Sequence, residues 1–498
     1  MDINSDQQEI RLSKLEKIRQ LGTEPYPYSF QQSHTVPEVI AQSEQLLKNG
    51  QTVTIAGRLL AVRGKGKASF ANIQAQHTRL QIYVRLDSVG ETAFEIFKLC
   101  DIGDHLGISG TLMHTKTGEL TLRASTVKLL SKSIRPMPMP KVEEKDGERI
   151  VHDEVTDKEL RYRQRYLDLI LNPKVADVFR KRTLIFQTIR DYLCEEGFLE
   201  VETPTLQAVY GGANATPFVT HHKALDQEFY LRISNELYLK RLIAGGFDAV
   251  FEFVKDFRNE GIDRTHNPEF SALEFYQAYV DYNEIMRHTE NICERCSIAV
   301  NGSTVTEYEG KTIDLKAPWP RLSMLDAIQT LGGIPFEKLS DTEVQNLLKE
   351  NSWELDADYN RGLATQLVFE ETCETQLIQP TFITDHPKET SPLCKQNREN
   401  PDLLERFEAY INGWEVANAY SELNDPVIQR RLMEEQVERG RGGEKETQPL
   451  DEDFLRAMEY GMPPMGGVGF GIDRIVMLLT GQSTIRDVIL FPTMRPEA

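Results

Sequence analysis

The sequence predicts an α+β protein with at least two domains: a small β-barrel, then a larger domain built on an antiparallel sheet flanked by helices. At 498 residues the chain is longer than one hydrophobic core usually serves. Apolar residues alternate with a period of two between about residues 51 and 130, which indicates short strands. Beyond that region strands and helices do not alternate regularly, as they would in a parallel doubly wound sheet.

Composition narrows the class of protein. Hydrophobic residues make up 40% and charged residues 27%, which is ordinary for a globular chain. No run of about 18 apolar residues is present, and the polar, acidic N-terminus does not resemble a secretory signal. We therefore expect a cytoplasmic protein without a membrane segment. The net charge of -20 excludes nucleic-acid binding over the whole surface but not binding by a local basic module.

The six cysteines are too sparse and irregular for a disulfide framework. Cys293 and Cys296 form one C-x-x-C, but no second pair or suitably spaced histidine completes a zinc site. We interpret both as helix residues, and the sequence leaves a redox role open.

Residues 1–48 are predicted to form a helical extension. Gly22 and Pro25 end the helix. Its apolar positions recur at helical spacing among charged side chains, which predicts an exposed helix: Leu12, Leu15, Ile18 and Leu21.

Residues 49–140 are predicted to form the barrel. Five short strands in about 80 residues suit a barrel of the OB type, and a small β domain without a ligand is the alternative. The five strand patterns are Val53 with Ile55, Leu80 to Leu86, Leu106 with Ile108, Leu120 with Leu122, and Val127 with Leu129.

A linker is predicted over 141–165, because three alternating prolines, the last at Pro140, are followed by a charged run. The larger domain then covers 166–498. Asn172-Pro173 begins a helix that Gly197 ends. Further strands are predicted at 198–201, 249–258, 271–280, 407–422 and 466–471.

Several familiar catalytic motifs are absent: the sequence has no P-loop, no H-E-x-x-H, no G-x-S-x-G and no EF-hand loop. Gly467, Gly469 and Gly471 superficially suggest a dinucleotide loop, but the 27 residues after Gly471 are too few for a βαβ unit. These glycines instead allow the backbone to approach a ligand or a helix closely. Arg474 then projects from the start of the next helix.

A nucleotide site is predicted on an antiparallel hairpin. Arg258 and Glu260 follow one strand, and His266 and Phe270 precede the next. A guanidinium group suits phosphate oxygens, and an aromatic ring can stack on a base. The alternative for Arg258 and Glu260 is a surface ion pair.

A second hairpin turns at Asn412-Gly413. Regular pairing places Glu408 opposite Ala417 and makes Glu415 its diagonal neighbour, roughly 7 to 8 Å away. Two carboxylates so close repel each other unless a cation lies between them, and oxygen ligands beside a nucleotide suggest Mg²⁺. Two solvated acids are the alternative.

The strand that carries Glu415 continues with polar residues of opposite parity. If they serve the same site, the strand needs a bulge or bend near 416–417. Further acids and a hydroxyl beside the two arginines imply a ligand with a cationic and an anionic end. The residues concerned are Asn418, Tyr420, Glu422, Glu236, Glu274 and Tyr276.

These residues resemble the class II aminoacyl-tRNA synthetases, and specifically the bacterial-type lysyl-tRNA synthetases. Residues 197–204 are similar to the first, dimer-forming motif of the family, 257–260 with 266–270 to the second, and 469–474 to the third. The lysine subgroup is matched further by 236–241, by 384–387 with 391–393, and by 418–425. The resemblance runs from about residue 9 to 496, and the motifs in this order are very specific.

The resemblance implies the roles of the site residues. Arg258 would hold the α-phosphate and the amino-acid carboxylate, with Arg474 on the γ-phosphate side as the second catalytic arginine. Phe270 would stack on adenine, and Glu260 and His266 would complete the ATP contacts. The remaining assignments are Glu408 and Glu415 for Mg²⁺, Gly212 and Glu236 for the α-amino group of lysine, and Glu274, Tyr276, Asn418 and Glu422 for its side chain.

The barrel resembles the anticodon-binding domain of the same family, and an OB surface suits single-stranded RNA. Phe70 would stack on an anticodon base, and Gln81 and Glu119 would read its edge. A local basic surface, with Arg58 among the anticodon-binding residues, accounts for RNA binding by an acidic chain: Arg58, Arg63, Lys65, Lys67, Arg79 and Arg85.

The implied activity is that of a lysine–tRNA ligase, which activates L-lysine with ATP and transfers it to the 3' end of tRNA(Lys). The implied partners are ATP, L-lysine, tRNA(Lys) and a second copy of the chain, with no membrane and no DNA. The alternatives are an aspartyl- or asparaginyl-tRNA synthetase, a paralogue that lysylates a protein, and a non-catalytic RNA-binding or regulatory paralogue.

Overall fold

The computed structural model describes residues 5–64, 66–138, 141–145, 148–152, 157–355, 358–441 and 448–496. Lys65 and parts of the predicted linker lie outside these ranges. The chain divides into two compact units, Met1–Pro173 and Lys174–Ala498.

The first unit contains a closed barrel of five strands. Its strand order is β1-β2-β3-β5-β4, which confirms the predicted OB-type fold. Its elements are α1 Ser5–Gln20, α2 Val36–Ala41, α3 Ser43–Asn49, β1 Thr52–Arg63, β2 Ala68–Ala75, β3 Thr78–Arg85, α4 Leu86–Val89, α5 Glu91–Leu99, β4 His105–His114, β5 Leu120–Ser131, β6 Lys141–Lys145, β7 Glu148–His152, α6 Lys158–Arg163 and α7 Arg165–Leu171.

The five strand patterns predicted for the barrel fall in four strands of the structure. The sequence patterns that start at Leu120 and Val127 belong to one strand, β5, and β2 was not predicted. In β5, Ala124 pairs with Gly110 and Thr126 pairs with Ser109, so Ser125 is an extra residue that interrupts the alternation. The inward positions of β2 include the small Ala71, which weakens its apolar pattern.

Helix α1 is confirmed, but it is not fully exposed. Leu15 and Ile18 are buried at 6% and 0% exposure, and Ile18 belongs to the core of the barrel. The Arg11 guanidinium donates hydrogen bonds to the carbonyl oxygens of Ile102 and Ser133, at 3.2 and 3.1 Å. Only the face that carries Leu12 is open to solvent.

The second unit is built on an eight-stranded sheet of order β16-β17-β18-β19-β20-β13-β12-β8. Its elements are α8 Pro173–Glu195, β8 Leu199–Glu200, β9 Leu206–Gln207, β10 Val219–His222, β11 Gln227–Leu231, α9 Glu236–Ala244, β12 Ala249–Phe257, β13 Glu269–Ala278, α10 Tyr282–Asn301, β14 Val305–Tyr308, β15 Lys311–Asp314, β16 Arg321–Ser323, α11 Met324–Thr330, α12 Asp341–Asn351, α13 Arg361–Thr372, β17 Thr381–Thr384, β18 Arg406–Ile411, β19 Trp414–Ser421, α14 Pro426–Arg441, α15 Glu452–Glu459, β20 Met465–Phe470, α16 Ile472–Thr480 and α17 Ile485–Val488.

The sheet is antiparallel except at its two ends, where β16 pairs with β17 and β12 pairs with β8 in parallel. This confirms the predicted mixed architecture. The predicted helix that begins at Pro173 is α8, and Gly197, with a φ of +88°, follows its end.

The two faces of the sheet have different chemistry. Leu273 and Phe275 of β13 pack into the main core with α8, α10 and α16. Glu274 and Tyr276 alternate with them and therefore lie on the opposite face, which α9 and α15 partly cover. The polar groups of the sheet collect on this second face. Within the described ranges, no helix is both long enough and apolar enough to cross a membrane.

Candidate active site

Strand β20 lies between β13 and β19, and polar side chains of these two neighbours lie on either side of its glycines. Glu274 of β13 and Asn418 of β19 both lie opposite Gly469, and Tyr276 and Tyr420 both lie opposite Gly467. These four side chains therefore lie on one face of the sheet, in two adjacent rows.

The glycines of β20 make room for this arrangement. A Cβ atom at Gly467 would lie 2.2 Å from Cε1 of Tyr276 and 2.4 Å from Oε1 of Glu422. At Gly469, no heavy atom of the described residues lies within 4 Å of such a Cβ. These glycines were predicted to let the backbone approach a ligand or a helix, and at Gly467 the structure shows close approach to the side chains of Tyr276 and Glu422 instead.

A bulge in β19 gathers the polar residues of that strand on the same face. Glu408 pairs with Asn418 and Tyr410 pairs with Glu415, so one extra residue, Val416, separates the two registers. The predicted bulge near 416–417 is confirmed. The predicted pairing of Glu408 with Ala417 was wrong, because the bulge shifts the register by one residue.

An internal lysine bridges two of the acids assigned to the amino-acid pocket. Lys240 of α9 is completely buried, and its Nζ lies 2.5 Å from Oε1 of Glu236 and 2.5 Å from Oε2 of Glu422. Burial alone would lower the pKa of Lys240, but the two carboxylates raise it above its ordinary value, so the ammonium group is charged. The role of Lys240 was missed. Its spacing four residues after Glu236 on a helix is the signal that could have revealed the pair.

Glu274 is the third buried acid of this pocket. Its two carboxylate oxygens accept hydrogen bonds from the hydroxyls of Ser234, at 2.9 Å, and Tyr276, at 3.0 Å. Burial raises the pKa of Glu274 to about 8, and the charges of Asp256 and Glu236 add to this effect. Burial likewise raises the pKa of Glu422, although Lys240 opposes the shift. A pocket of this kind is completed by a cation.

Gly212 lies at the edge of the same pocket. Its φ of +88° favours glycine, and a Cβ atom there would lie 2.8 Å from Oγ of Ser234. Its N–H donates a hydrogen bond to Oε1 of Gln448 at 2.9 Å. Only glycine therefore fits beside Ser234 and Glu236.

Arg258 and Phe270 come together across the hairpin formed by β12 and β13. The guanidinium carbon of Arg258 lies 5.1 Å from the centroid of the Phe270 ring. Its Nε is buried and has no hydrogen-bond partner among the described residues. Glu260 is exposed, and its N–H donates to the carbonyl oxygen of Arg258 at 2.9 Å. Arg258 thus has hydrogen-bond donors free for an anion.

Asp473 positions Arg474. One carboxylate oxygen of Asp473 accepts from Arg182 of α8 at 2.5 Å, and the other accepts from the N–H of Ser271 in β13 at 2.7 Å. These bonds fix the first turn of α16 against the sheet. Arg474 then donates to the carbonyl oxygen of Glu415.

His266 lies between Arg474 and Asp263. Nη2 of Arg474 is 3.5 Å from Nε2 of His266, whose Nδ1 is 2.7 Å from Oδ2 of Asp263. The two ring nitrogens of His266 therefore link Arg474, which can only donate, to the carboxylate of Asp263. The second and third motifs therefore meet at one end of the pocket.

Glu408 and Glu415 lie on the same face of the β18–β19 hairpin. Glu408 accepts from Arg406 at 2.5 Å and from the Tyr410 hydroxyl at 2.8 Å. The carboxylate of Glu415 accepts no hydrogen bond from a described residue, and Arg474 is 4.0 Å away. Burial and the charge of Glu408 raise the pKa of Glu415.

The chemistry of this pair fits a hard cation. Glu374 lies nearby, bonded to the Tyr410 hydroxyl at 2.9 Å, and burial with the charges of its acidic neighbours raises its pKa to about 7. Within the described chain, no three His, Cys, Asp or Glu side chains form a preassembled metal site. At nucleotide sites, however, proteins usually supply only one or two carboxylates to Mg²⁺, and the phosphates of the nucleotide supply further ligands.

The barrel carries the residues assigned to the anticodon on its outer surface. Phe70 pairs with Tyr83, and the two ring centroids are 4.6 Å apart. Gln81 pairs with Thr121, two residues beyond the exposed Glu119. Tyr83 was missed by the sequence analysis, although its alternation with the buried Ile82 and Val84 signals an outward aromatic ring.

Arg58 lies apart from these residues. It pairs with Gln74, whereas Phe70 pairs with Arg63 farther along β1. The Arg58 guanidinium donates to the carbonyl oxygen of Gly103 at 3.0 Å. The structure thus groups Phe70, Gln81 and Glu119 but does not bring Arg58 to them. Of the other basic residues, Arg85 pairs with Asp87 at 2.6 Å.

The second unit therefore combines a buried acidic pocket, two arginines and a pair of carboxylates. This combination suits a ligand with ammonium groups at one end and a carboxylate or phosphates at the other. A family model described as tRNA synthetases class II (D, K and N) matches residues 157–495, and one described as OB-fold nucleic acid binding domain matches residues 53–130.

Curated relatives match the chain over nearly its whole length. Lysine--tRNA ligase of Christiangramia forsetii is 50% identical over 500 residues, which cover 99% of this chain and 87% of the relative. The proteins of the same name from Porphyromonas gingivalis and Moorella thermoacetica are each 48% identical. These matches cover 99% and 100% of this chain and 86% and 99% of the relatives. The chain belongs to the lysine–tRNA ligase family of the class II tRNA synthetases.

Proposed function

We propose that the protein activates L-lysine with ATP, releasing pyrophosphate, and transfers the lysyl group to the 3' end of tRNA(Lys) in the cytoplasm. The observation that carries this function is the buried set of acids, Glu236, Glu274 and Glu422, in the same unit as Arg258, whose Nε has no hydrogen-bond partner among the described residues. The relatives named Lysine--tRNA ligase support it. All six cysteines are unpaired, which fits a reducing compartment.

The amino acid is held by its charged groups. Gly212 and Glu236 take the α-amino group, and Arg258 takes the carboxylate. Glu274, Tyr276, Asn418 and Glu422 surround the side chain and its ammonium group. Asn418 is fixed for this purpose, since Arg406 donates to its Oδ1 at 3.2 Å and its own Nδ2 donates to Glu408 at 3.3 Å.

The nucleotide lies toward Phe270, which stacks on adenine, and toward Arg474 on the γ-phosphate side. His266 and Glu260 complete the ATP contacts. The lysine carboxylate attacks the α-phosphorus and pyrophosphate leaves, so no covalent enzyme intermediate is needed. Arg258 and Arg474 accelerate this step by holding the reactants in line and by neutralising phosphate charge.

Glu408 and Glu415 hold Mg²⁺, which neutralises phosphate charge when it is bound. The open carboxylate of Glu415 supports this assignment.

The barrel binds the anticodon of tRNA(Lys) through Phe70, Gln81 and Glu119. The Phe70–Tyr83 pair supports this role, because adjacent aromatic rings form a stacking platform for single-stranded bases.

We further propose that the protein is a homodimer whose interface includes α8 and the β8–β9 region. Large apolar side chains are exposed on these elements and beside them, and burial in an interface removes them from water. They are Leu184, Leu199, Leu206 and Val219, whose exposed fractions are 38%, 47%, 49% and 58% in that order.

The competing functions differ in their pockets. An aspartyl-tRNA synthetase needs a cationic side-chain pocket, which disfavours that alternative, since the acids here would repel aspartate. A non-catalytic RNA-binding paralogue has no need for Arg258, Glu415 and Arg474. A paralogue that lysylates a protein has no need for the aromatic surface of the barrel.

The test is amino-acid-dependent ATP/pyrophosphate exchange with lysine, ornithine, arginine, aspartate and asparagine, with and without Mg²⁺. We expect exchange with lysine alone and only with Mg²⁺. Exchange with another amino acid would overturn the pocket assignment. The absence of exchange with all five would favour the non-catalytic alternative. Charging of tRNA(Lys) then separates a tRNA ligase from an enzyme that lysylates protein.

A further inference from the structure

Lys240 has no role in the assignments above, although it is the one ammonium group that the described structure places among the acids of the amino-acid pocket. It touches Glu236 and Glu422, the carboxylates assigned to the α-amino group and to the side-chain ammonium group of the substrate. One protein cation therefore connects both ends of the lysine site.

We propose that Lys240 is a positioning residue for the substrate: it neutralises part of the pocket charge and holds Glu422 so that Oε1 is free to accept the side-chain ammonium of lysine. The inference rests on the proposed function and adds a residue to its specificity.

The two oxygens of Glu422 have different surroundings. Oε2 lies 2.5 Å from the Lys240 ammonium. Both oxygens are buried and neither accepts a hydrogen bond from a described residue, but Oε1 also has no ion-pair partner among those residues and would lie 2.4 Å from a Cβ atom at Gly467. Oε1 therefore faces Gly467 of β20, while Lys240 of α9 contacts the other oxygen, Oε2.

The charges match those of lysine. The ammonium groups of bound lysine favour the ionised forms of Glu236, Glu274 and Glu422, which then carry three negative charges that Lys240 reduces to two. Free lysine has two ammonium groups, and its carboxylate is assigned to Arg258. The pocket and its ligand are then neutral together, which a buried site requires.

The other groups around Lys240 do not supply this charge. Burial raises the pKa of Cys394, Tyr276 and Tyr420, so all three are neutral near pH 7. Arg406 is engaged by Glu408 and Asn418. The titratable and charged groups near the Lys240–Glu422 pair, from α9, β13, β18, β19 and the segment at 394, are Glu236, Glu274, Tyr276, Arg406, Tyr420 and Cys394.

The experiment compares wild type with Lys240→Met, which removes the charge and keeps most of the apolar stem. Without the ammonium group, the pKa of Glu422 rises further and the neutral acid binds a cation poorly. In lysine-dependent exchange we expect the KM for lysine at pH 7 to rise about tenfold or more, the effect of one pKa unit. The KM for ATP should change less than twofold, and the pH midpoint of kcat/KM for lysine should move upward. Lys349→Met, at an exposed site on α12, should match wild type.

A double-mutant cycle with Glu422→Gln separates positioning from general damage. If Lys240 acts through Glu422, Lys240→Met should add little to the KM for lysine once Glu422 is neutral. Additive losses, or a wild-type KM and pH midpoint in Lys240→Met, would overturn the proposal. If Lys240→Met does not bind ATP, Lys240→Gln takes its place, and failure of both to fold would show a purely structural residue. No lysine-dependent exchange in wild type would instead refute the proposed function itself.

Discussion

The guanidinium group of Arg258 lies over the ring of Phe270, with 5.1 Å between the guanidinium carbon and the ring centroid. Phe270 pairs with Asp256 across the hairpin, so the ring is placed beside a residue two positions before Arg258. A cation over an aromatic face gains about 0.5–1 kcal/mol or more. The contact restrains the guanidinium plane and leaves its N–H groups for a ligand.

Arg258→Ala should slow lysyl-adenylate formation at least about a hundredfold, the loss found when one charge-stabilising donor is removed. Arg258→Lys should recover little, because an ammonium group lacks the planar fork and stacks poorly on Phe270. Single-turnover consumption of ATP with lysine measures the rate. Arg431→Ala, at an exposed arginine of α14, is the matched control. A near-normal rate in Arg258→Ala would refute the assignment.

Glu415→Gln should raise the Mg²⁺ concentration needed for half-maximal exchange, because it removes one charge from the only carboxylate of the pair that lacks a hydrogen bond within the described chain. Exchange at increasing Mg²⁺ measures the change. Glu350→Gln, at an exposed position of α12, should leave the curve in place. Equal Mg²⁺ curves for Glu415→Gln and wild type would argue against a metal at this pair.

Gly467→Ala and Gly469→Ala form a matched pair on β20. The first places a Cβ 2.2 Å from the Tyr276 ring, and the second meets no heavy atom of the described residues within 4 Å. We expect Gly467→Ala to lower the free energy of unfolding by about 1–3 kcal/mol, as overpacking does, and to raise the KM for lysine. Gly469→Ala should unfold close to wild type. Denaturant unfolding of both variants and of wild type measures the free energy of unfolding. Equal losses of stability in the two variants would contradict the role of Gly467 as a position of close approach.

The elements that can be predicted from sequence are those with a local signal. Helix α8 has proline at its start and glycine after its end, and the β18–β19 hairpin has Asn412-Gly413 at its turn. The bulge in β19 could be predicted because a regular strand would point Glu415 and Asn418 to opposite faces, although both are assigned to the same site.

The remaining features depend on contacts that are distant in sequence. The pairing of Glu408 with Asn418 depends on which residue of β19 is the extra one, and parity does not determine it. The bond of Asp473 to Arg182 joins residues 291 positions apart. Lys240 looks like a surface helix lysine until the fold brings Glu422 to it.

The stability of the protein should depend on pH through Glu274. Its pKa is raised from an ordinary 4.5 to about 8 by burial, so between these values the folded chain holds a proton that the unfolded chain releases. Folding stability from this group is complete below about pH 4.5 and is lost as the pH rises toward 8, with a slope of up to about 1.4 kcal/mol per pH unit. Glu274→Gln removes the titration, so the variant should gain stability relative to wild type as the pH rises from 5 to 8. Denaturant unfolding of both proteins across this range measures the difference. Parallel stability curves for the two proteins would show that Glu274 is already ionised in the folded chain and would contradict this prediction.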